Sequence, residues 1–407
     1  MWLRNLKIEN FRSIGSLELD FGTEETPRQW TYLLGENGTG KSNILRAIAL
    51  VLSEPEAFWE LTQTPDDWIK NEKQELILEA TGEWKTGEAK QGATRQIHLQ
   101  RGQSISETIH KMQFPSEWRE AFRVGYGASR RLTSNISLQS SSRFSYPTSQ
   151  HVATLFTNDS VLNPLESWAM EIDYRYPQNG LATIKEELAG LLPGVEFSHI
   201  DKAKKQLIFT TSDGDVPLNQ LSDGFQNMLS WVGDLLSLLH KYSFLHLNIK
   251  EVRGILLLDE MELHLHPKWQ HALRAYLESA LPNFQFIVTT HSPLTALQAQ
   301  EGELYYLERE HSGTAPQLRK YRGNPSNLMI HQMLNSPAFG HQTLDSHEVS
   351  RKRSEYQRLR TKSVLSSEER MKKQELEGEF SALPTTSMQS EDDESLISLL
   401  RKVRQSL

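Results

Sequence analysis

No cysteine occurs among the 407 residues. That excludes a disulfide framework, thiolate-ligated zinc and a cysteine nucleophile, and it suits a reducing compartment. Nor is there a run of about 18 apolar residues, so no membrane-spanning helix is expected. The opening Met1-Trp2-Leu3-Arg4-Asn5-Leu6-Lys7 carries charges inside its apolar pattern and does not read as a secretory leader. An excess of positive charge is also missing, since the formal net charge is −8. Composition therefore declares no general nucleic-acid binder, although a local basic patch stays open. Internal repeats and sustained heptads are absent, which excludes a long coiled coil. These absences lead to the expectation of a soluble, cytoplasmic protein with no membrane partner.

Apolar residues make up 37% and charged residues 24%, enough for a sizeable core and incompatible with wholesale disorder. The length allows two or three domains, or one large α/β unit with insertions. Leu17, Leu19 and Phe21 alternate with polar residues, and 30–34 is a short apolar run, so the first 34 residues are expected to be strands. A Gly-rich turn at 35–40 and a helix over 43–52 follow. Strand, Gly-rich loop and helix open a parallel α/β unit.

Further strands are expected over 75–84 and 94–100, around a polar loop, and the Ser-rich stretch 129–150 reads as a surface loop. Leu181, Ile184, Leu188 and Leu191 recur at helical spacing, and 195–200 with 206–211 looks like a hairpin pair. Residues 226–240 form an amphipathic pattern with Met228, Trp231, Val232, Leu235 and Leu239 on one face. The runs 255–258 and 284–288 suit strands buried on both sides, with a helix over 268–279 between them. The tail beyond Gly340 is charged but balanced. Ser366-Ser367-Glu368-Glu369 fits a capping box there. A last helix is expected over about 391–404, with acids at its start and bases at its end.

Chemistry concentrates in four places. Gly35-Glu36-Asn37-Gly38-Thr39-Gly40-Lys41-Ser42 matches the phosphate-binding pattern G-x-x-x-x-G-K-S in full. Its glycines let backbone N–H groups curl around phosphate oxygens at a helix N-terminus. Lys41 would reach the β- and γ-phosphates of ATP, and the Ser42 hydroxyl would meet Mg²⁺. The strand 255–258 ends in Asp259, suited to the Mg²⁺ shell, and Glu260, suited to polarising the attacking water. Leu221-Ser222-Asp223-Gly224-Phe225-Gln226 opens a helix, where Ser222 and Gly224 can face a γ-phosphate. His291, in Thr289-Thr290-His291-Ser292-Pro293, follows the next strand and can face the same phosphate.

Taken in this order, the motifs resemble an ABC-type ATPase head of the SMC/RecF/Rad50 superfamily. Leu221–Gln226 resembles its signature motif, and His291 its switch histidine. Ile8-Glu9-Asn10-Phe11-Arg12-Ser13-Ile14 resembles an N-terminal strand turn of those proteins. By that resemblance Arg12 is a nucleotide contact. Asp259-Glu260-Met261-Glu262-Leu263-His264-Leu265-His266-Pro267 is similar to the extended motif of OLD-type ATPases and their defence-system relatives. Gly125–Arg130, 334–340 and the charged tail are similar, more loosely, to Septu-type (PtuA-like) ATPases. No Q-loop glutamine is assignable, with Gln100 and Gln103 the candidates. His264 and His266 could ligate a metal, but two ligands are too few alone, and they read better as shaping their loop. Arg130 and Arg131 are open to phosphate of ATP or of DNA. The basic stretch 351–360 reads as a solvated helix face.

The resemblance implies an α/β, ABC-type P-loop NTPase head with a mixed sheet, an inserted helical lobe and a C-terminal helical tail. The expected division is an ATPase lobe over 1–128, an inserted lobe over 129–215, a second ATPase lobe over 216–340 and a tail over 341–407. It further implies a homodimer or higher even oligomer closing around ATP and Mg²⁺, with Ser222 acting on the partner's phosphate loop. Residues 292–407 show no D-x-D pair, so a nuclease would be a separate subunit of HNH or TOPRIM type in anti-phage defence. A RecF-like repair ATPase binding DNA or RNA directly, a transporter's nucleotide-binding subunit and a non-hydrolysing scaffold are the rival readings.

Overall fold

Strands covered on both faces need apolar side chains at consecutive positions, and that need organises the centre of this chain. A computed structural model describes residues 1–23, 26–86, 89–103, 107, 112, 114–130, 145–158, 160, 162–242, 249–309, 314–339, 347–362 and 366–382. The chain begins β1 (Trp2–Phe11), β2 (Ile14–Asp20), β3 (Trp30–Gly35), α1 (Lys41–Leu52), β4 (Glu75–Thr86), β5 (Ala89–Gln100) and β6 (Phe122–Tyr126). It continues α2 (Leu165–Arg175), α3 (Gly180–Leu188), β7 (Glu196–Asp201), β8 (Gln206–Thr211), β9 (Gly214–Pro217) and α4 (Asp223–Tyr242). Then come β10 (Gly254–Leu258), α5 (Pro267–Ala280), β11 (Phe284–Thr290), β12 (Leu304–Glu308) and β13 (Gln317–Lys320). Clustering gives two compact units, Met1–His341 and Gln342–Leu407.

The first unit contains a six-stranded mixed sheet in the order β13-β12-β3-β11-β10-β6. All neighbours are parallel except the β12–β13 pair. Trp30, Tyr32, Leu256, Leu258, Phe286 and Val288 share one face with Met228, Trp231 and Leu235 of α4. Leu33, Ile255, Leu257 and Ile287 share the other with α1. A second sheet, antiparallel in the order β2-β1-β4-β5, covers α1 from the far side. α1 is therefore wrapped by apolar neighbours, and nine of its twelve residues are buried.

The C-terminal end of α1 has no basic residue in its own last turn. Two buried arginines from elsewhere meet its carbonyls instead. Arg95 of β5 donates to Val51 O at 2.7 Å and to Ser53 O. Arg123 of β6 donates to Leu52 O and pairs with Glu54 at 2.9 Å. Phe114 lies under both guanidinium groups, at 4.7 and 5.6 Å. Burial pulls the Arg95 guanidinium down to about 9, with the neighbouring charge of Arg123 adding to the effect.

The structure shows the α/β class and the mixed sheet expected from the motifs. It also differs in detail. The β4–β5 hairpin reaches Thr86 and starts again at Ala89, because a backbone ladder tolerates the polar residues that read as loop. Leu181 is 40% exposed and so lies off the buried face that holds Ile184 and Leu188. β6, β12 and β13 have no counterpart in the expected strands. Arg123 interrupts the apolar run of β6, and its cost is met only by tertiary partners. The second unit contains two helices, His347–Thr361 and Ser367–Ala382. The capping box is formed: Glu369 N donates to Ser366 Oγ at 3.2 Å, and Ser366 N donates to Glu369 Oε2 at 2.9 Å. The helix expected over 391–404, Arg131 and most of the Ser-rich stretch lie outside the described residues. Among the described residues no helix is long and apolar enough to cross a membrane.

α4 is fastened to the sheet by a buried polar contact. The Tyr126 hydroxyl donates to Asp234 Oδ2 at 2.8 Å, while Asp234 Oδ1 accepts from the Asn163 backbone and side chain at 2.8 and 2.6 Å. Burial still pushes the Asp234 carboxyl above its ordinary range. Tyr126→Phe is expected to lower the unfolding free energy by about 1–3 kcal/mol, read as a lower urea midpoint. An unchanged midpoint would deny this contact a structural role.

Candidate functional site

β3, β11, β10 and β6 are parallel neighbours, so their C-terminal ends share one edge of the sheet. That edge, the usual ligand side of an open α/β sheet, carries four of the sequence motifs. The Gly35–Ser42 loop follows β3, His291 follows β11, Asp259 and Glu260 follow β10, and Gly127–Arg130 follows β6.

The loop has the conformation its glycines allow. Gly38 and Gly40 have φ of 77° and 102°, which an L side chain rarely adopts. A Cβ built on Gly38 would meet open space, so the turn leaves a cradle of backbone facing outward. Asn37 and Gly38 are exposed and Ser42 is half-buried at the first turn of α1. The Lys41 ammonium turns back into the loop, donating to Gly35 O at 2.6 Å and Glu36 O at 3.0 Å. Burial pulls it below its ordinary value, against the attraction of Asp259, Glu260, Glu262 and Glu36. Arg309, beyond β12, holds Gly38 O at 2.9 Å.

Asp259 is buried and its Oδ1 accepts from the Thr289 hydroxyl at 2.6 Å. The same hydroxyl accepts from Glu260 N at 2.7 Å, and Thr289 O accepts from Met261 N at 3.0 Å. Glu260 itself sits at a left-handed φ of 48°, which turns it away from the strand. Arg130 braces this turn from below. It donates to Gly127 O at 3.0 Å, to Asp259 O and to Glu260 O at 2.8 Å. Burial pulls its guanidinium down to about 10. Its Nε and Nη2 donors thus go to carbonyls of this turn. Glu262, also buried, accepts from the backbone of His291 at 2.8 Å and of Ser292 at 3.0 Å.

Ser222 is exposed at the start of α4, and among the described residues no hydrogen bond joins it to the loop at 35–42. Gly224 packs on the turn after β10: an added Cβ would stand 2.6 Å from His264 O and 3.0 Å from the Trp269 ring. His266 caps α5, its Nδ1 accepting from Lys268 N at 3.3 Å. Among the described residues no group of three or more His, Asp or Glu could hold a metal. Arg12 stacks on Trp68 at 3.7 Å, with its Nε buried and unpaired. Its neighbour Ser13 accepts from Asn43 of α1 at 3.1 Å, so this turn flanks the loop. Sequence reasoning gave no role to Thr289, Glu262 or Arg309. The first two sit inside quoted motifs, while Arg309 gives no sequence signal.

The donor set fits a nucleotide with Mg²⁺: an outward backbone cradle, one ammonium, one hydroxyl and one buried carboxylate. The chain is also similar to known proteins. A family model described as "AAA domain, putative AbiEii toxin, Type IV TA system" matches residues 31–297. The "Septu protein PtuA" of Bacillus mycoides (strain KBAB4) is 27% identical over 314 residues, 75% of this chain and 40% of that protein. The "Retron Ec83 probable ATPase" of Escherichia coli is 32% identical over 146 residues, 35% of this chain and 26% of that protein. The chain thus spans less than half the length of these relatives. The SMC head domain from Thermotoga maritima aligns with a TM-score of 0.44 and 16% identity, over 79% of this chain and 100% of that one.

Gly224→Ala forces a side chain against backbone and an indole. It is expected to cost about 1–3 kcal/mol and to speed amide exchange across Leu221–Gln226. Exchange rates equal to the parent would show that this approach is not tight.

Proposed function

The chain belongs to this AAA-domain family, and from that premise we propose that it is an ATP-hydrolysing switch of the SMC-like kind. The observation that carries the reading is the row of parallel strand ends that sets the Gly35–Ser42 loop, His291 and Asp259–Glu260 side by side. Gly35, Asn37, Gly38 and Gly40 present backbone N–H groups to phosphate, and Lys41 leaves the loop carbonyls for the β- and γ-phosphates. Ser42 and Asp259 would hold Mg²⁺, which neutralises charge on the phosphates. Glu260, held out by its left-handed turn, orients the attacking water, and His291 faces the γ-phosphate. Arg12 completes the rim of the loop.

Ser222 is exposed just before α4 and half-buried Gly224 lies in its first turn, so the serine is open to a second copy. On that basis two heads sandwich ATP between the loop of one and Ser222 of the other, giving a homodimer or a higher even oligomer. Closure with ATP and opening after hydrolysis make the switch. The segment 129–215 acts as an inserted lobe between ATPase lobes 1–128 and 216–340, and the tail from 341 docks a partner. The setting is bacterial anti-phage defence in the cytoplasm beside a separate nuclease subunit, supported by the names of the Septu and retron relatives. A second reading, direct DNA or RNA binding in the RecF manner, is favoured by one cleft of about 740 Å³ lined by Tyr306, Arg319, Lys320, Tyr321 and Arg322. Stacking rings among cations suit a nucleic-acid strand, and DNA-stimulated hydrolysis by the isolated chain would select that reading.

Lys41→Ala removes the loop's cation and is expected to abolish tight ATP binding in a nucleotide titration; unchanged affinity would sink the phosphate-loop assignment. Glu260→Gln keeps the shape but cannot accept a proton. Turnover should fall by a factor of about 10² or more while ATP binding survives. Light scattering should then show an ATP-dependent dimer or larger even assembly. Parent-like turnover would remove Glu260 from catalysis, and slow turnover without an ATP-dependent assembly would reject the sandwich.

A further inference from the structure

The carboxylate of Glu262 has a part that the proposed chemistry does not use. Its side chain is only 5% exposed, yet it faces no arginine or lysine at ion-pair distance among the described residues. Oε1 instead accepts two backbone donors from a single turn and has the ring of His291 beside it. It accepts from His291 N at 2.8 Å and Ser292 N at 3.0 Å, and it lies 3.3 Å from His291 Nδ1. Oε2 has no hydrogen-bond partner among the described residues. A buried carboxylate with one oxygen unpaired is costly. Here its only visible return is control of the turn that ends β11.

That control extends to the ring. The two nitrogens of an imidazole are distinct, and the contact made by one sets the state of the other. Backbone and ring of His291 thus face the same oxygen, which is fixed by the two backbone N–H groups and stands within reach of Nδ1. The His291 side chain is half-exposed, and Nε2 lies on the ring edge away from Nδ1. Glu262 comes from the β10 turn and His291 from the end of β11, so the grip also ties the carboxylate pair Asp259–Glu260 to the histidine.

We propose that Glu262 is a positioning residue, whose Oε1 receives the Nδ1–H of His291 and so aims Nε2 at the γ-phosphate. This rests on the ATPase reading above. No charge transfer is required, only an acceptor at the right place, so an amide oxygen can substitute for the carboxylate oxygen.

The test has two arms, both on the full chain. In the first, ¹⁵N-histidine spectra are recorded on the parent, with the His291 signals identified by their loss in His291→Gln. The expected neutral form carries its proton on Nδ1. An Nε2–H form, which a histidine without this contact favours in water, overturns the proposal. In the second, steady-state ATP hydrolysis is compared for Glu262→Ala, Glu262→Gln, His291→Ala and the double variant Glu262→Ala/His291→Ala. Misplacement of one reacting group can cost on the order of 10²-fold, so Glu262→Ala should lower kcat by about 10- to 100-fold. KM should stay within about 3-fold, and Glu262→Gln should keep most of the parent kcat. Because Glu262 acts through His291, the double variant should be no slower than His291→Ala alone. A further loss in the double variant, parent-like kcat in Glu262→Ala, or no rescue by Glu262→Gln each overturns it. If the parent does not hydrolyse ATP, the ATPase reading falls, while the spectra still decide which nitrogen Glu262 holds.

Discussion

One hydroxyl holds the two central strand ends together. Thr289 gives its proton to Asp259 and takes one from the Glu260 backbone, so a single oxygen fixes the register of β10 against β11 where the ladder stops. A parallel pair has no tight turn to set its ends, and a side chain must do it. From that bond the rest of the edge follows. Glu260 can occupy a left-handed turn because its N–H is already satisfied, and Arg130 can take the carbonyls that the turn exposes. The histidine after β11 is then placed relative to the carboxylates by neighbouring bonds and not by loop flexibility.

The site is built with few free charges. Lys41, Asp259, Arg130 and Glu262 are all buried, and each is matched mainly by backbone or hydroxyl groups. A buried ion without a countercharge is tolerated when dipoles surround it.

The Gly-rich loop, the carboxylate pair and the histidine were legible as residue types at fixed offsets, and the structure sets them at one sheet edge. So were the strands at 30–34, 255–258 and 284–288, where both faces are covered and the residues are apolar apart from Thr31 and Gln285. What escaped was whatever depends on a distant partner. β6 hid because Arg123 is satisfied by the Leu52 carbonyl and the Glu54 carboxylate, far earlier in the chain, which no local pattern records. Gly224 read as part of a phosphate cradle, and its close approach to His264 O emerges only once α4 and the β10 turn are side by side. Arg130 read as a free cation for the same reason. Two of its carbonyl partners, Asp259 O and Glu260 O, belong to a turn more than a hundred residues away.

The two arginines under α1 have a mechanical meaning. A helix aims a partial positive charge from its first turn and a partial negative one from its last. In this chain Arg95 and Arg123 neutralise the last turn from two different strands, while the first turn is left bare at the loop. The helix is thus anchored like a piston rod fixed at its base: load applied at the tip is passed straight into both sheets. A push at the first turn of α1 would then leave the rod where it is and be taken up by parts that are not tied in this way.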